Sequence, residues 1–315
     1  MSKILVIRML ELGDVASIGI PALRHIKANN PESEVYCLTH GQGKELISLA
    51  EPEVKLIGLP QDLWPDHILK ALEAFLGLAE QIIEIGFDQI INLDTAFMPN
   101  FLARFLKDAG EPVVGNYLSV PLQTLIDQIQ NQSLQPEYVN NAQQYMLSTF
   151  FSMYKWHSQW WTGNVLPDNG YPEFYLVNCC GFSGLEYNNQ LLDKKRNVAA
   201  VQKTAVYIAL SDQNMPYLHQ DELQKELESR GFSVFIDNET QAISQRLETL
   251  AQCDICVCFA NAVFALANGV STPTLLIPMQ LDPRILMPDY SADESLEHPL
   301  PNDLADSIAS IFEQH

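Results

Sequence analysis

The 315-residue chain carries 39 acidic against 18 basic residues, a formal charge of −21, which repels polyanions at long range and excludes a nucleic-acid partner. Its 47% hydrophobic content is enough for globular cores, and its length predicts two domains. Six cysteines without a regular framework fit a reducing compartment, and no apolar stretch reaches the roughly 20 residues that span a bilayer; the chain reads as soluble and cytoplasmic, without a signal peptide or an integral membrane segment.

In chain order, residues 3–8 read as a buried strand, because Ile4, Leu5, Val6 and Ile7 form a continuous apolar run. A helix follows with Ile18, Leu23 and Ile26 on one side, and Pro21 must sit in its first turn or kink it. Strands at 34–38 and 54–58 flank a helix at 43–50. The alternation continues with a helix at 66–85, a strand at 89–93, a helix at 99–107 and a strand at 112–115. Residues 122–154, rich in Gln and Asn, read as largely helical. Periodicity fails from 156 to 203, where Trp160, Trp161, Pro167, Gly170 and Pro172 crowd into a turn-rich stretch. It resumes with strands at 205–210, 233–236, 254–258 and 274–277, helices at 220–230, 242–252 and 262–268, a Pro-containing loop and a last helix at 302–313. Strands alternating with helices in this way predict doubly wound parallel sheets.

Chemistry concentrates in the first turn, Arg8-Met9-Leu10-Glu11-Leu12-Gly13-Asp14-Val15. Gly13 permits a tight turn at the carboxyl end of a strand, where open α/β sheets bind ligands. G-x-G-x-x-G is absent, which argues against a nicotinamide-dependent oxidoreductase. Asp14 has two readings: a helix N-cap that accepts backbone N–H bonds, or a general base. Cys253, Cys256 and Cys258 lie on or beside a strand and read as core thiols rather than zinc ligands, which need turns to fold them around the ion. The isolated histidines His25, His40, His157 and His219 read as surface or core residues. Trp156, Trp160 and Trp161 read as packing, with a sugar platform as the alternative, and Lys194-Lys195-Arg196 reads as a solvated loop.

The run Ile4-Leu5-Val6-Ile7-Arg8, then Leu12-Gly13-Asp14-Val15, Pro21-Ala22-Leu23 and Lys27, resembles the amino-terminal signature of glycosyltransferase family 9, the ADP-heptose:lipopolysaccharide heptosyltransferase-like enzymes. Asn92-Leu93-Asp94 and Val114-Gly115-Asn116-Tyr117 extend the resemblance, as do Cys253 to Cys258 and Ser271-Thr272-Pro273-Thr274. It implies an α/β chain of two Rossmann-like doubly wound domains facing a cleft, the GT-B architecture, with an acceptor-side domain at 1–156, a linker or insertion at 157–203, a nucleotide-sugar-side domain at 204–301 and a terminal helix at 302–315. It implies an inverting, metal-independent transfer of a heptose-like sugar from a nucleoside diphosphate to a hydroxyl of a glycan, lipid-linked or protein acceptor, with no cofactor. Asp14 takes the place of the base. Substrate contacts fall to Arg8, Gly13, Asp94, Ser211, Asn261, Ala262, Val263 and Phe264, with phosphate met by N–H groups at the start of the helix at 262.

The chain also departs from that pattern. Ala260, Asn261, Ala262 and Ala265 stand where the family carries Asp, Thr or Ser, Gly and a downstream His, and 211–219 lacks the cation that meets the leaving diphosphate. These departures leave a second reading open: a catalytically degenerate relative that acts as a binding or assembly protein.

Overall fold

The computed structural model describes residues 1–9, 11–59, 68–162, 167–192, 203–211, 217–277, 291–292 and 299–313. The basic run at 194–196, residues 212–216 and most of the Pro-containing loop lie outside them. The chain divides into two compact units, Met1–Pro167 with Pro172–Asn188, and Asp168–Tyr171 with Asn189–His315.

The described residues of the first unit form six strands: β1 (Lys3–Ile7), β2 (Glu34–Leu38), β3 (Lys55–Ile57), β4 (Gln89–Asn92), β5 (Val113–Leu118) and β6 (Met146–Ser148). Their order is β3-β2-β1-β4-β5-β6, parallel except for β6, which pairs antiparallel with β5. Leu5, Val6 and Ile7 are fully buried, as a parallel strand covered on both faces requires. β1 lies between β2 and β4, with Ile7 opposite both Leu38 and Asn92. The strand order reverses there, and the carboxyl side of such a switch point is where open sheets bind ligands.

Gly115 in β5 has φ +98°, and a Cβ on it would meet the Asn92 carbonyl. Only glycine lets β5 approach β4 that closely. Pro21 falls in the first turn of the helix Ile20–Asn29, directly after the π turn Val15–Gly19. Having no N–H, it gives nothing back to the preceding turn, and the Ser17 carbonyl instead accepts the Tyr187 hydroxyl at 2.8 Å.

Two expectations change here. Residues 122–154 are not one helical region: the helix Leu122–Gln130 stops before Gln132, whose φ is +55°, and short helices Pro136–Val139 and Ala142–Tyr145 lead into β6. Residues 172–188, read from sequence as part of a connection, pack with the first unit, where Tyr175 is fully buried and its hydroxyl donates to the Leu93 carbonyl at 2.8 Å.

The described residues of the second unit form five parallel strands, β7 (Ala205–Ala209), β8 (Ser233–Ile236), β9 (Ile255–Phe259), β10 (Thr274–Ile277) and β11 (Ser291–Ala292), in the order β11-β10-β9-β7-β8. Period-2 alternation sorts its side chains. Val206, Ile208, Ile255, Val257, Leu275 and Ile277 share one core cluster with residues of the helices Gln220–Ser229 and Pro301–Glu313. Cys256 and Cys258 fall at the intervening positions of β9 and are fully buried. Both units are Rossmann-like, as the alternation of elements predicts.

Candidate functional site

Three of the sequence-predicted residues meet at the switch point of the first unit. Arg8 follows β1, Asp94 follows β4, and Asp14 closes the short helix Leu12–Asp14. Arg8 Nη2 donates to Asp14 Oδ2. Its Nη1 donates to the Leu93 carbonyl at 2.8 Å and stands 3.4 Å from Asp94 Oδ1. Asp94 Oδ2 accepts the Met9 N–H at 2.6 Å. Arg8 and Asp94 side chains are 3% and 2% exposed, whereas that of Asp14 is 32% exposed. One buried guanidinium thus serves two carboxylates, one shut away and one open to solvent.

The loop that carries Asp94 is fixed from several sides. Asn92 Oδ1 accepts the Asp94 N–H at 3.0 Å. Asn116 Nδ2 donates to the Asp94 carbonyl at 3.1 Å and to the Tyr175 hydroxyl at 3.1 Å. Asn100 Nδ2 donates to the Ala96 carbonyl at 2.7 Å. The Tyr145 hydroxyl donates to the Thr95 carbonyl at 2.7 Å; burial, then the Asp94 charge, push its pKa up to about 12, so it remains a proton-bearing donor. Burial followed by the same charge raises the Cys37 thiol.

The capping alternative for Asp14 does not hold. Its backbone is already helical (φ −73°, ψ −33°) and its side chain makes no cap bond. Asp14 Oδ2 belongs to Arg8, and among the described residues nothing bonds Oδ1. The positive-φ step of this turn sits at Glu11, with φ +60° and ψ 112°, while Gly13, expected to permit the tight turn, lies inside the helical turn. The Glu11 carbonyl accepts the N–H groups of Asp14 and Val15, both at 3.0 Å. A non-glycine residue held there stores backbone strain of about 1–3 kcal/mol. Desolvation, then the nearby Asp14 charge, raise the Glu11 pKa, with Arg8 pulling the other way. Glu11 is the residue that sequence reasoning passed over; the signal was an acidic side chain three positions before Asp14.

The remaining residues lie in the second unit, at the carboxyl ends of the neighbouring strands β7 and β9. Ser211 is exposed. Asn261 Oδ1 accepts the Val263 N–H at 3.0 Å and so caps the helix Ala262–Gly269 itself. The Phe264 N–H donates to the Asn261 carbonyl at 3.2 Å and the Asn261 N–H to the Phe259 carbonyl at 2.8 Å. Val263 and Phe264 side chains are buried. At this helix start the Ala262 N–H has no acceptor among the described residues. In the same unit Arg246 grips Asp237 through Nε and Nη2, both at 3.0 Å, and the Tyr207 hydroxyl donates to Asp237 at 2.5 Å; this buried group is spent on its own pairing. All six cysteines are buried and unpaired, and no group of three metal-binding side chains assembles among the described residues.

No protein-family model matches this sequence, and no curated protein does. Solved structures match it in fold. The family 9 glycosyl transferase from Veillonella parvula DSM 2008 covers 100% of this chain and 98% of its own at a TM-score of 0.64 and 9% identity. The E. coli ADP-heptose lps heptosyltransferase II covers 99% of both chains at 0.59 and 14%. E. coli heptosyltransferase WaaC, solved with ADP, covers 99% of this chain and 98% of its own at 0.58 and 12%. At such identities the likeness is one of fold, and that fold is GT-B with its two Rossmann-like units.

Proposed function

We propose that this chain is an inverting, metal-independent glycosyltransferase that moves a heptose-like sugar from a nucleoside diphosphate to an acceptor hydroxyl, with Asp14 as the base. The observation that carries the reading is the state of Asp14: its carboxylate lies at the switch point, is held by Arg8 through one oxygen, and receives no protein donor on the other among the described residues. That other oxygen takes the proton as the acceptor hydroxyl attacks the anomeric carbon opposite the departing diphosphate. Arg8 and Asp94, being buried, position Asp14 rather than touch substrate, and Gly13 is the other accessible member of the group. Ser211 and the start of the helix Ala262–Gly269 receive the diphosphate. A glycan, a lipid-linked saccharide or a protein supplies the hydroxyl. Unpaired, buried thiols fit work in a reducing cytoplasm.

The second reading, a relative that binds or assembles without transferring, is favoured by Asn261. Its side chain closes the helix start that a diphosphate needs, and the neutral N–H left at Ala262 is a thinner device than a charged donor, which is roughly twice as strong.

Nucleotide binding separates the two. The proposal expects affinity on the order of 0.1–1 mM for one of ADP, UDP, GDP and TDP, with ADP the first probe given the named structural matches. Ligand at about ten times its Kd adds roughly 1.4 kcal/mol, a rise in Tm of about 3–6 °C for a unit of this size. Restoring charge with Ala260→Asp and Ala265→His should enlarge the rise. No shift with any of the four at about 10 mM, in either protein, would sink the transferase reading in favour of the second.

A further inference from the structure

The carbonyl of Leu93, the residue after β4, is shared by two donors. Arg8 Nη1 and the Tyr175 hydroxyl each give it a hydrogen bond at 2.8 Å, which occupies both lone pairs of one oxygen. The hydroxyl is itself held: it accepts Asn116 Nδ2 at 3.1 Å, and the same amide donates to the Asp94 carbonyl at 3.1 Å. Tyr175 is fully buried, so these bonds work in a low dielectric without competition from bulk water.

Arg8 has a stronger acceptor close by. Its Nη1 stands 3.4 Å from Asp94 Oδ1, and a carboxylate attracts a guanidinium more strongly than a neutral carbonyl does. Were the Leu93 carbonyl to swing away, Nη1 would close on Asp94, and the rigid planar fork would carry Nη2 off Asp14. The Tyr175 hydroxyl is the second bond that keeps the carbonyl from swinging. The segment that bears it is seated by other contacts. The Tyr187 hydroxyl donates to the Ser17 carbonyl at 2.8 Å, Arg24 Nη1 donates to Asn188 Oδ1 at 2.8 Å, and Phe182 stacks on His25 with ring centres 5.2 Å apart. Removing the one hydroxyl therefore leaves the segment in place and changes what holds the carbonyl.

We propose that Tyr175 is a positioning residue: through the Leu93 carbonyl it keeps Arg8 shared between Asp94 and Asp14, and so fixes the Asp14 carboxylate. The placement of Arg8 stands on this geometry, whereas its effect on turnover rests on the transferase reading. Proton–nitrogen NMR of the full chain with isotope-labelled arginine tests the placement, with Arg8→Met identifying the Arg8 signals. In the wild type the Nη hydrogens of Arg8 should give separate, slowly exchanging signals. Tyr175→Phe, which keeps the ring, should speed their exchange with water about tenfold, the scale of one interior hydrogen bond. Tyr145→Phe is the matched control: it takes a hydroxyl from the Thr95 carbonyl of the same loop, a carbonyl other than the one Arg8 shares, and should leave the Arg8 signals as in wild type. With ADP-heptose as donor and water as acceptor, ADP release by Tyr175→Phe should show kcat lowered about tenfold and KM within about twofold of wild type, since the change reaches the base and not the donor. Arg8 signals unchanged in Tyr175→Phe, signals altered equally by Tyr145→Phe, or a raised KM at unchanged kcat each overturn the inference. Arg8 signals that respond as expected in a chain that releases no ADP uphold the placement and count against the transferase reading instead.

Discussion

Replacing Arg8 with Met should reveal how much of the first unit rests on one guanidinium. The substitution keeps the apolar stem and removes the charge, leaving Asp94 ionised in a place where its side chain is 2% exposed. Deleting one partner of a buried pair costs about 3–5 kcal/mol, because the other charge is stranded. The Met9 N–H at 2.6 Å still serves Asp94 Oδ2, which places the expected loss near the lower end, about 3 kcal/mol. Asp14 contributes little to it, since water reaches a carboxylate that is 32% exposed. Adding Asp94→Asn should recover most of the loss: the amide oxygen still accepts the Met9 N–H, and no charge is stranded. The double variant should sit about 2 kcal/mol above the sum of the two single changes. Urea unfolding followed by tryptophan emission is the assay, and it has a built-in selectivity. All four tryptophans, at 64, 156, 160 and 161, fall in the first unit, so emission reports that unit without interference from the second. A loss under about 1 kcal/mol, or additivity within about 0.5 kcal/mol, would show that Arg8 does not neutralise Asp94 and would remove the basis for calling it the residue that positions Asp14.

Asp14→Asn should abolish sugar transfer yet change stability by less than about 1 kcal/mol, since the carboxylate caps no helix and is partly exposed; activity near wild type would remove Asp14 from the chemistry. Gly115→Ala should cost on the order of 2–4 kcal/mol in the same urea assay, because alanine at φ +98° is strained and its Cβ has to displace the Asn92 carbonyl. Glu11 carries a pKa raised first by desolvation and then by Asp14, so the folded chain holds that proton more tightly than the unfolded one. Stability from this group is therefore full below the ordinary Glu value and is lost as pH rises through the raised one. Glu11→Gln should accordingly gain more in Tm over wild type at pH 7 than at pH 4, and an equal difference at both would contradict the assignment.

The sheets were legible in the sequence because buried parallel strands advertise themselves as short, continuous apolar runs between turn residues. β2, β8 and β10 fall on the residues expected, at 34–38, 233–236 and 274–277. The stretch from 122 to 188 was not legible for the converse reason. β6 has three residues, too few to show a period, and Tyr175 does its work through one hydroxyl placed by a π turn, which leaves no repeat to read. The positions of Arg8, Asp14 and Asp94 could be read as strand ends. Their pairing could not, because it exists only once β4 lies beside β1 and brings a residue 86 places away within reach of Arg8.

The two units show what decides whether a polar residue at a helix start is available for chemistry. Asn261 and Asp14 each stand where a strand passes into a helix, and both side chains are of the kind that caps. In the second unit no described residue competes with the helix, and Asn261 turns its oxygen onto the Val263 N–H. In the first, the chain takes a left-handed step at Glu11, whose carbonyl receives the N–H groups of both Asp14 and Val15. Asp14 is thereby moved into the helical turn, past the position from which it would cap, and Arg8 from the strand before it claims one oxygen. The strain at Glu11 and the burial of Arg8 are thus two halves of one arrangement: the first takes the carboxylate off the helix, and the second holds it in place through one oxygen, the other receiving no donor among the described residues. Relaxing the turn with Glu11→Gly should leave the Arg8 contact intact, because glycine adopts the same backbone without strain, and it should raise stability by about 1 kcal/mol.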